Sequence, residues 1–257
     1  MNDIPTDIPA NTSIYINVIN NKTINTKRMP LKKLISYNYQ EKINNNIIPM
    51  QIDNSIFVKN IDEIKKMVNE IIVESYPKLK KANISFKTLK DDSFYFQSTF
   101  DFMSILKKNF DYIIMVNTNL FEKNCSKEAV KAILAHELSH TLDYELKGNM
   151  GVLKIGLKML FDDSRDKYEH KTDLKAISKG YGNGLIEYRN WIYKNIPEKS
   201  IAEKKKTYYQ PEEIEAIKSA FDKAEKVGKK NKLLSKWLKC PPIGIEKINY
   251  DSNKLGL

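Results

Sequence analysis

The sequence predicts an α+β fold in which a small mixed sheet precedes a largely helical second half. Three short segments between residues 83 and 117 have the apolar alternation, or the short apolar run, that is typical of strands. Beyond residue 126, apolar residues recur at helical spacing through several consecutive segments. A chain of 257 residues can bury a sizeable core, so we expect one large domain, alone or with a smaller appendage.

Residues 1–60 differ in composition from the rest of the chain. They are rich in Asn, Ile and Thr, and the alternating stretch Ser13–Ile19 favours a strand over a helix. We expect a β-rich appendage or an extended arm in this segment. The change in composition near residue 60 then places the main domain in residues 61–257.

The main domain is predicted to open with a helix and three strands. Asn60, followed three residues later by Glu63, resembles a capping box, and apolar residues then recur at helical spacing until Pro77. This pattern predicts a helix over Ile61–Tyr76, because proline disfavours the helical conformation in the residue before it. The predicted strands that follow are Asn83–Leu89, Phe94–Phe100 and Asp111–Asn117.

The remainder of the main domain is predicted to be helical. Ser126, with Glu128 in the next turn, is a typical helix start, and the apolar pattern continues to about Leu146 before Gly148 ends it. The further predicted helices are Val152–Phe161, Asp166–Ser178, Leu185–Ile196 and Pro211–Val227.

The composition is that of an ordinary folded protein, with 41% hydrophobic and 29% charged residues. Cys125 and Cys240 are too few and too far apart for a disulfide framework or a CxxC metal site. No apolar run approaches the roughly 20 residues that cross a membrane, and residues 1–10 lack the pattern of a signal peptide. With Met1 as the native start, the chain is expected in the cytoplasm. If Met1 replaces a removed signal peptide, a secreted protein is expected instead.

The formal net charge of +11 raises the question of a nucleic-acid partner, because clustered Lys and Arg bind phosphates. The lysines are, however, dispersed through every segment. The densest run, Lys204–Lys206, follows Glu203 and precedes two tyrosines. We therefore expect no specific nucleic-acid partner.

The most informative motif lies inside the helix that begins near Ser126. Residues 134–144 read LAHELSHTLDY, which places His136 and His140 four residues apart on one helix face. Two imidazoles one turn apart on a rigid helix can hold two corners of a tetrahedral Zn²⁺ site. Glu137, turned by roughly 100° around the helix axis, would lie beside the metal and accept a proton from a water molecule. This HExxH pattern predicts a zinc metallopeptidase.

A catalytic zinc site needs a third protein ligand and one open position. The metzincin pattern HExxHxxGxxH is excluded, because Asp143 occupies its glycine position and Leu146 its last histidine position. Asp143 itself follows His136 by about two turns and lies nearly in line with it, so it is a rival ligand or a partner of His140.

A second motif follows in residues 168–173, which read YEHKTD and place Glu169 and Asp173 four residues apart on a predicted helix. HExxH followed by this ExxxD pattern resembles the gluzincins, the thermolysin-like branch of the zincin metallopeptidases, over about residues 126–180. The resemblance implies a zincin-like domain whose small sheet packs on the HExxH helix, with Glu169 as the third zinc ligand. It also implies that Asp173 accepts a hydrogen bond from His136, and a carboxylate there would fix the ring tautomer.

His170 and three residues of the following segment are the remaining site candidates. His170 points roughly 100° away from Glu169 on a helix, so the two would not share one metal; a donor on the open side, or more simply a surface histidine, is expected. Tyr181, Tyr188 and Arg189 lie within reach of the cleft, where a phenol or a guanidinium can stabilise an oxyanion. Aromatic packing and a surface cation are the alternative interpretation of these three residues.

The expected reaction is zinc-dependent hydrolysis of a peptide or protein substrate, with Glu137 as general base. By analogy with zincins, Asp111–Asn117 would be the edge strand that pairs with an extended substrate. Two other functions stay open, namely a zincin-like binding or regulatory protein without turnover and a basic protein associated with nucleic acid. The intact Glu137 argues against the first, and nucleic-acid binding that weakens steeply with salt would support the second.

Overall fold

The computed structural model describes residues 13–20, 23–30, 56–101, 111–159 and 162–257. The chain divides into two compact units, Met1–Asp53 and Asn54–Leu257. In the first unit, strands β1 (Ser13–Asn20) and β2 (Thr23–Pro30) pair as an antiparallel hairpin. The other residues of the first unit lie outside the described part of the chain, so the assignment of residues 1–60 as an appendage or an arm stays a prediction.

The second unit begins with helix α1 (Ile61–Ser75), whose start has the predicted cap. The side-chain oxygen of Asn60 accepts hydrogen bonds from the backbone N–H groups of Asp62 and Glu63, each at 3.0 Å. The apolar residues at helical spacing form the buried face of this helix. The helix ends before Pro77, as predicted, and a 3₁₀ turn at Pro77–Lys81 follows it.

A small mixed sheet follows, formed by β3 (Asn83–Leu89), β4 (Phe96–Phe100) and β5 (Asp111–Asn117). The order is β3-β5-β4, with β5 parallel to β3 and antiparallel to β4. Strand β5 is therefore central in the described sheet, and the expectation that it is the edge strand is wrong. Its consecutive buried residues Tyr112, Ile113 and Ile114 fit a strand that is covered on both faces.

Helix α2 (Lys127–Met159) carries the HExxH motif. The hydroxyl of Ser126 accepts the backbone N–H of Ala129 at 3.0 Å and so caps the helix at the predicted position. The predicted stop at Gly148 is instead a kink, where φ of 60° and ψ of −174° join two helical stretches. A glycine reaches this conformation without a steric penalty from Cβ. The predicted helix Val152–Phe161 overlaps the second stretch, and its last two residues lie outside the described part.

The rest of the second unit is helical, as predicted. The helices are α3 (Asp162–Ala176), α4 (Gly182–Asn195), α5 (Glu198–Thr207), α6 (Pro211–Lys226), α7 (Lys230–Lys239) and α8 (Ile245–Asn253). A π turn at Ile177–Tyr181 joins α3 to α4 and contains Gly180 at φ 97°. Helices α5, α7 and α8 were not predicted, because each has only nine or ten residues and many lysines or other polar side chains. No described helix has the length and apolar character to cross a membrane.

Helix α2 packs against α1, strand β4, α3 and α4, so the HExxH turn is surrounded by the rest of this unit. The approach of α4 is close because residue 184 is a glycine. A Cβ atom added at Gly184 would lie 2.7 Å from Cβ of Ala132, and it would also meet the carbonyl oxygen of Glu128. The missing side chain therefore sets the separation of α2 and α4.

Candidate metal centre

Three side-chain atoms from two helices converge in the interior. Nε2 of His136 lies 3.0 Å from Oε2 of Glu169, and Nε2 of His140 lies 3.2 Å from the same oxygen. The two Nε2 atoms are 3.2 Å apart. The three residues are 1%, 6% and 6% exposed for His136, His140 and Glu169, so solvent does not separate their charges. This buried His-His-Glu group can hold a metal ion.

The separations suit a metal with short bonds to nitrogen and oxygen. Zinc ligands about 2.0 to 2.2 Å from the ion stand roughly 3.3 to 3.6 Å apart at the corners of a tetrahedron. The observed spacing of 3.0 to 3.2 Å is slightly tighter, and small side-chain rotations would open it. Electron-rich atoms packed this closely in a buried site need a cation or protons between them.

Helical periodicity explains why these atoms meet. His136 and His140 lie one turn apart on α2, and Glu169 and Asp173 lie one turn apart on α3, which packs against α2. Each helix therefore presents a pair of polar side chains to the other across one buried contact.

Asp173 links this contact to two further parts of the chain. Its Oδ1 lies 2.7 Å from Nδ1 of His136, and Nη2 of Arg189 donates to both carboxylate oxygens at 3.0 Å. The backbone N–H of Tyr209 donates to Oδ2 at 3.3 Å. A carboxylate at Nδ1 favours the tautomer with the proton on that nitrogen, which leaves the Nε2 lone pair of His136 directed at the centre of the cluster.

The pKa values of the cluster reflect this charge arrangement. Burial lowers the pKa of His136, but Asp173 and Glu169 outweigh it and raise that pKa to about 10. Burial raises the pKa of Glu169, but the two histidines outweigh it and hold that pKa well below its usual range. Burial likewise opposes the ionised form of Asp173, and Arg189 with His136 keeps its pKa lowered. The metal-free site therefore retains ionised carboxylates and a protonated imidazole, for which a metal ion would compete.

Glu137 is buried beside the cluster and is anchored to the sheet. Its Oε2 accepts the backbone N–H of Ser98, on strand β4, at 2.6 Å. The Ser98 hydroxyl lies 2.8 Å from that of Thr141, which in turn donates to the backbone carbonyl of Glu137 at 3.2 Å. Two hydrogen bonds thus connect the middle of β4 to successive turns of α2, and one of them restrains the Glu137 carboxylate.

A small cavity of about 30 Å³ borders His136 and Glu137, enough for one or two water molecules. Most of its wall is aromatic or aliphatic, and two cationic side chains, Arg189 and Lys204, complete it. The ring of Tyr208 also lines the cavity, 5.8 Å from the His136 ring between centroids. A cavity lined mainly by aromatic and aliphatic side chains, with a few charged groups, is the usual form of a small binding site.

The rival ligands of the sequence analysis lie outside this cluster. Asp143 accepts a hydrogen bond from Nζ of Lys175 at 2.5 Å and so has a different partner. His170 is 6% exposed and packs on the ring of Tyr209, with centroids 4.4 Å apart, so the expectation of a surface histidine is wrong. Its position one residue after Glu169 turns it to another face of α3.

The three residues proposed as oxyanion donors separate into two groups. Tyr188 and Arg189 line the cavity and are buried, whereas the hydroxyl of Tyr181 lies 3.0 Å from that of Ser75. Arg189 is not the surface cation of the alternative interpretation, because its guanidinium is paired with Asp173. Of the three, Tyr188 and Arg189 are the ones that the fold brings to the site.

Sequence reasoning missed Ser98, Thr141, Lys204 and Tyr208. The first two reach Glu137 only through the packing of β4 on α2, for which the sequence carries no local signal. Lys204 and Tyr208 were visible as one lysine of a run and one of the two tyrosines after it. Lys204 and Tyr208 are four residues apart at the C-terminal end of α5, where Tyr208 is the C-cap residue, so their side chains can lie close together. The sequence analysis did not predict α5 and therefore did not pair these two residues.

Comparisons with protein-family models, with curated proteins and with solved structures found no match to this chain. The resemblance to the gluzincins is thus carried by the HExxH and ExxxD motifs and by the cluster in which their residues meet.

Proposed function

We propose that the protein is a zinc-dependent peptidase of the gluzincin type. The observation that carries the proposal is the convergence of His136 Nε2, His140 Nε2 and Glu169 Oε2 at 3.0 to 3.2 Å, with Glu137 lining the same cavity as His136. Two imidazoles and one carboxylate are a donor set found in catalytic zinc sites, where a fourth position stays open for water or substrate. The His-Glu-His order on one helix adds the general base that such chemistry requires.

In the proposed reaction, zinc supplies a Lewis acid that polarises the scissile carbonyl group and lowers the pKa of a water molecule. Glu137 accepts the proton of the attacking water and passes it to the leaving amine. The N–H of Ser98 holds one oxygen of Glu137 and so limits rotation of the carboxylate. Asp173 and Arg189 keep His136 oriented with Nε2 toward the ligand cluster.

The substrate in this proposal is an extended peptide that pairs with strand β4. This strand is an edge of the described sheet, and the N–H of Ser98 in its middle contacts Glu137. Pairing through the backbone gives affinity with little demand on side chains. The substrate-binding role that the sequence suggested for β5 thus passes to β4.

The test is metal analysis and peptide hydrolysis by the native protein and by three variants. We expect Glu137→Gln to retain zinc and to lose hydrolysis by about 10²- to 10⁴-fold, because it removes the general base alone. Glu169→Ala should lose most of its zinc, because only two of the three proposed protein ligands remain. His170→Gln is the matched control, a buried histidine outside the cluster, and it should retain both zinc and activity.

Each outcome discriminates between the assignments. Zinc content in Glu169→Ala equal to that of the native protein would remove Glu169 from the ligands. Unchanged hydrolysis by Glu137→Gln would remove its role as base. Native protein that binds zinc but cleaves no member of a broad peptide library would point to a metal-binding protein without turnover.

A further inference from the structure

Lys204 is a half-buried lysine at the cavity beside the metal centre. Its Nζ lies 5.5 Å from the centroid of the Tyr208 ring, a cation–π contact. Within the described part of the chain, its ammonium group makes no hydrogen bond and no ion pair with any residue. The charge of Lys204 thus lies at the cavity without a hydrogen-bonded or ion-paired carboxylate, and Glu169, Glu137 and Asp91 act on it only at longer range.

The neighbouring lysines of the same run behave differently. Lys206 is an exposed residue whose Nζ lies 3.5 Å from a carboxylate oxygen of Asp166. Lys205 is also exposed, with Nζ 5.6 Å from the ring centroid of Tyr193. A run of three lysines on a helix would ordinarily be a solvated face, and Lys204 is the member of this run that borders the cavity.

The surroundings of Lys204 are costly for a charge. Burial and the nearby guanidinium of Arg189 lower the pKa of Lys204, and the carboxylates of Glu169 and Glu137 only partly offset this. Arg189 contributes a second donor without a partner, since its buried Nε has no hydrogen bond in the described part of the chain. Two cations at one small cavity, with N–H groups left over, favour an anionic ligand.

We propose that this cavity binds a carboxylate of the substrate through the ammonium group of Lys204. The inference rests on the proposed peptidase function and adds a substrate class to it. Glu137 and Lys204 both line this cavity of about 30 Å³, which has room for little more than one small group, and one extended residue spans about 3.5 Å. A carboxylate held there therefore belongs to a residue next to the scissile bond. Its source is either the C-terminal carboxylate of a peptide or an acidic side chain.

Binding of thiol probes to the zinc-loaded protein tests this proposal without catalysis. The thiol of a mercaptoacetyl group binds zinc and places the next residue beside the metal. The first pair of probes is mercaptoacetyl-glycine and mercaptoacetyl-glycinamide, which differ in the terminal carboxylate. The second pair is mercaptoacetyl-glutamate amide and mercaptoacetyl-glutamine amide, which differ in the side-chain carboxylate. Calorimetric titration gives the Kd of each.

We expect the carboxylate member of at least one pair to bind about tenfold more tightly than its amide, as a charge-assisted hydrogen bond allows. Preference within the first pair identifies the C-terminal carboxylate, and preference within the second identifies an acidic side chain. In Lys204→Met the preference should fall to about onefold. Lys199→Met, an exposed lysine of the same helix, is the matched control and should keep the native preference.

Equal affinity within both pairs in the native protein would overturn the proposal, and this comparison needs no variant to fold. A preference that persists in Lys204→Met would also overturn it. The zinc content of the same samples separates the two levels of failure. Zinc present without discrimination refutes the role of Lys204 alone, whereas protein that does not take up zinc refutes both the metal centre and the carboxylate site.

Discussion

The buried pair of Asp173 and Arg189 should be worth several kcal/mol to the fold, and its loss can be measured. Arg189→Met removes two charge-assisted hydrogen bonds of 3.0 Å and leaves the Asp173 carboxylate, which is fully buried, without its main cation. Bonds to charged groups contribute about 1.5 to 3 kcal/mol each, and breaking a buried ion pair costs about 3 to 5 kcal/mol. We therefore expect the free energy of unfolding of the metal-free protein to fall by about 3 to 5 kcal/mol.

Asp173→Asn should cost a similar amount, because it leaves the Arg189 guanidinium buried and unpaired. The double variant should cost clearly less than the sum of the two single changes, since neither charge then remains alone. Urea denaturation of chelator-treated protein measures all three values. Lys230→Met is the control, because it breaks an exposed ion pair with Glu225 of 3.1 Å and should cost less than about 1 kcal/mol.

The same variants should differ in zinc affinity. Asp173→Asn removes the carboxylate from Nδ1 of His136, and loss of such a partner weakens metal binding by about 10- to 100-fold. Arg189→Met keeps that contact and should weaken zinc binding less. Competition with a chromophoric chelator gives both values. The reasoning would be refuted by strictly additive unfolding energies, or by an Arg189→Met cost no larger than that of Lys230→Met.

Three further outcomes follow from the structure. Because the pKa of His136 is about 10 in the metal-free protein, zinc must displace a proton near neutral pH. Competition with a chelator should therefore show that the affinity for zinc rises with pH, by about tenfold per pH unit for each proton released. A zinc affinity that falls with rising pH would contradict this. Gly184→Ala should destabilise the fold by about 1 to 3 kcal/mol in urea, more than Gly182→Ala, whose new methyl group meets a flexible lysine; equal costs would exclude the proposed close approach of α4 to α2. A thiol reagent should label the exposed Cys240 in the native protein, but it should label the buried Cys125, whose pKa is raised by burial, only after unfolding. Equal labelling rates for the two cysteines would contradict the assigned burial.

The ligand cluster was predictable because its spacing is local. His136 and His140, and again Glu169 and Asp173, are separated by one helical turn, so each pair lies on one face wherever the helix packs. The sequence did not show that the two faces meet. That step came from resemblance to a family, and the structure brings the four side chains together in one buried contact.

The order of the strands and the residues that line the cavity were not predictable, because both depend on contacts between segments that are distant in the sequence. Strand β5 pairs with both β3 and β4. Its continuous apolar run is typical of a strand that is covered on both faces, but it does not show which strands lie beside it. Lys204 reaches the cavity through a ten-residue helix whose polar composition hid it. Arg189 was only a candidate for stabilising an oxyanion, and its pairing with Asp173 was not predicted because the two residues lie on different helices.

Two hydrogen bonds join Ser98 on strand β4 to Glu137, the proposed base, and to Thr141 on helix α2, so the strand and the Glu137 carboxylate are expected to move together. A displacement of β4 by even a fraction of a hydrogen-bond length would be transmitted to the carboxylate, because the 2.6 Å contact leaves little slack. If a peptide pairs with the edge of this strand, as proposed, its binding would therefore also change the orientation of the Glu137 carboxylate. In the proposed function, the backbone amide of Ser98 would thus join the strand that binds the peptide to the carboxylate that activates water.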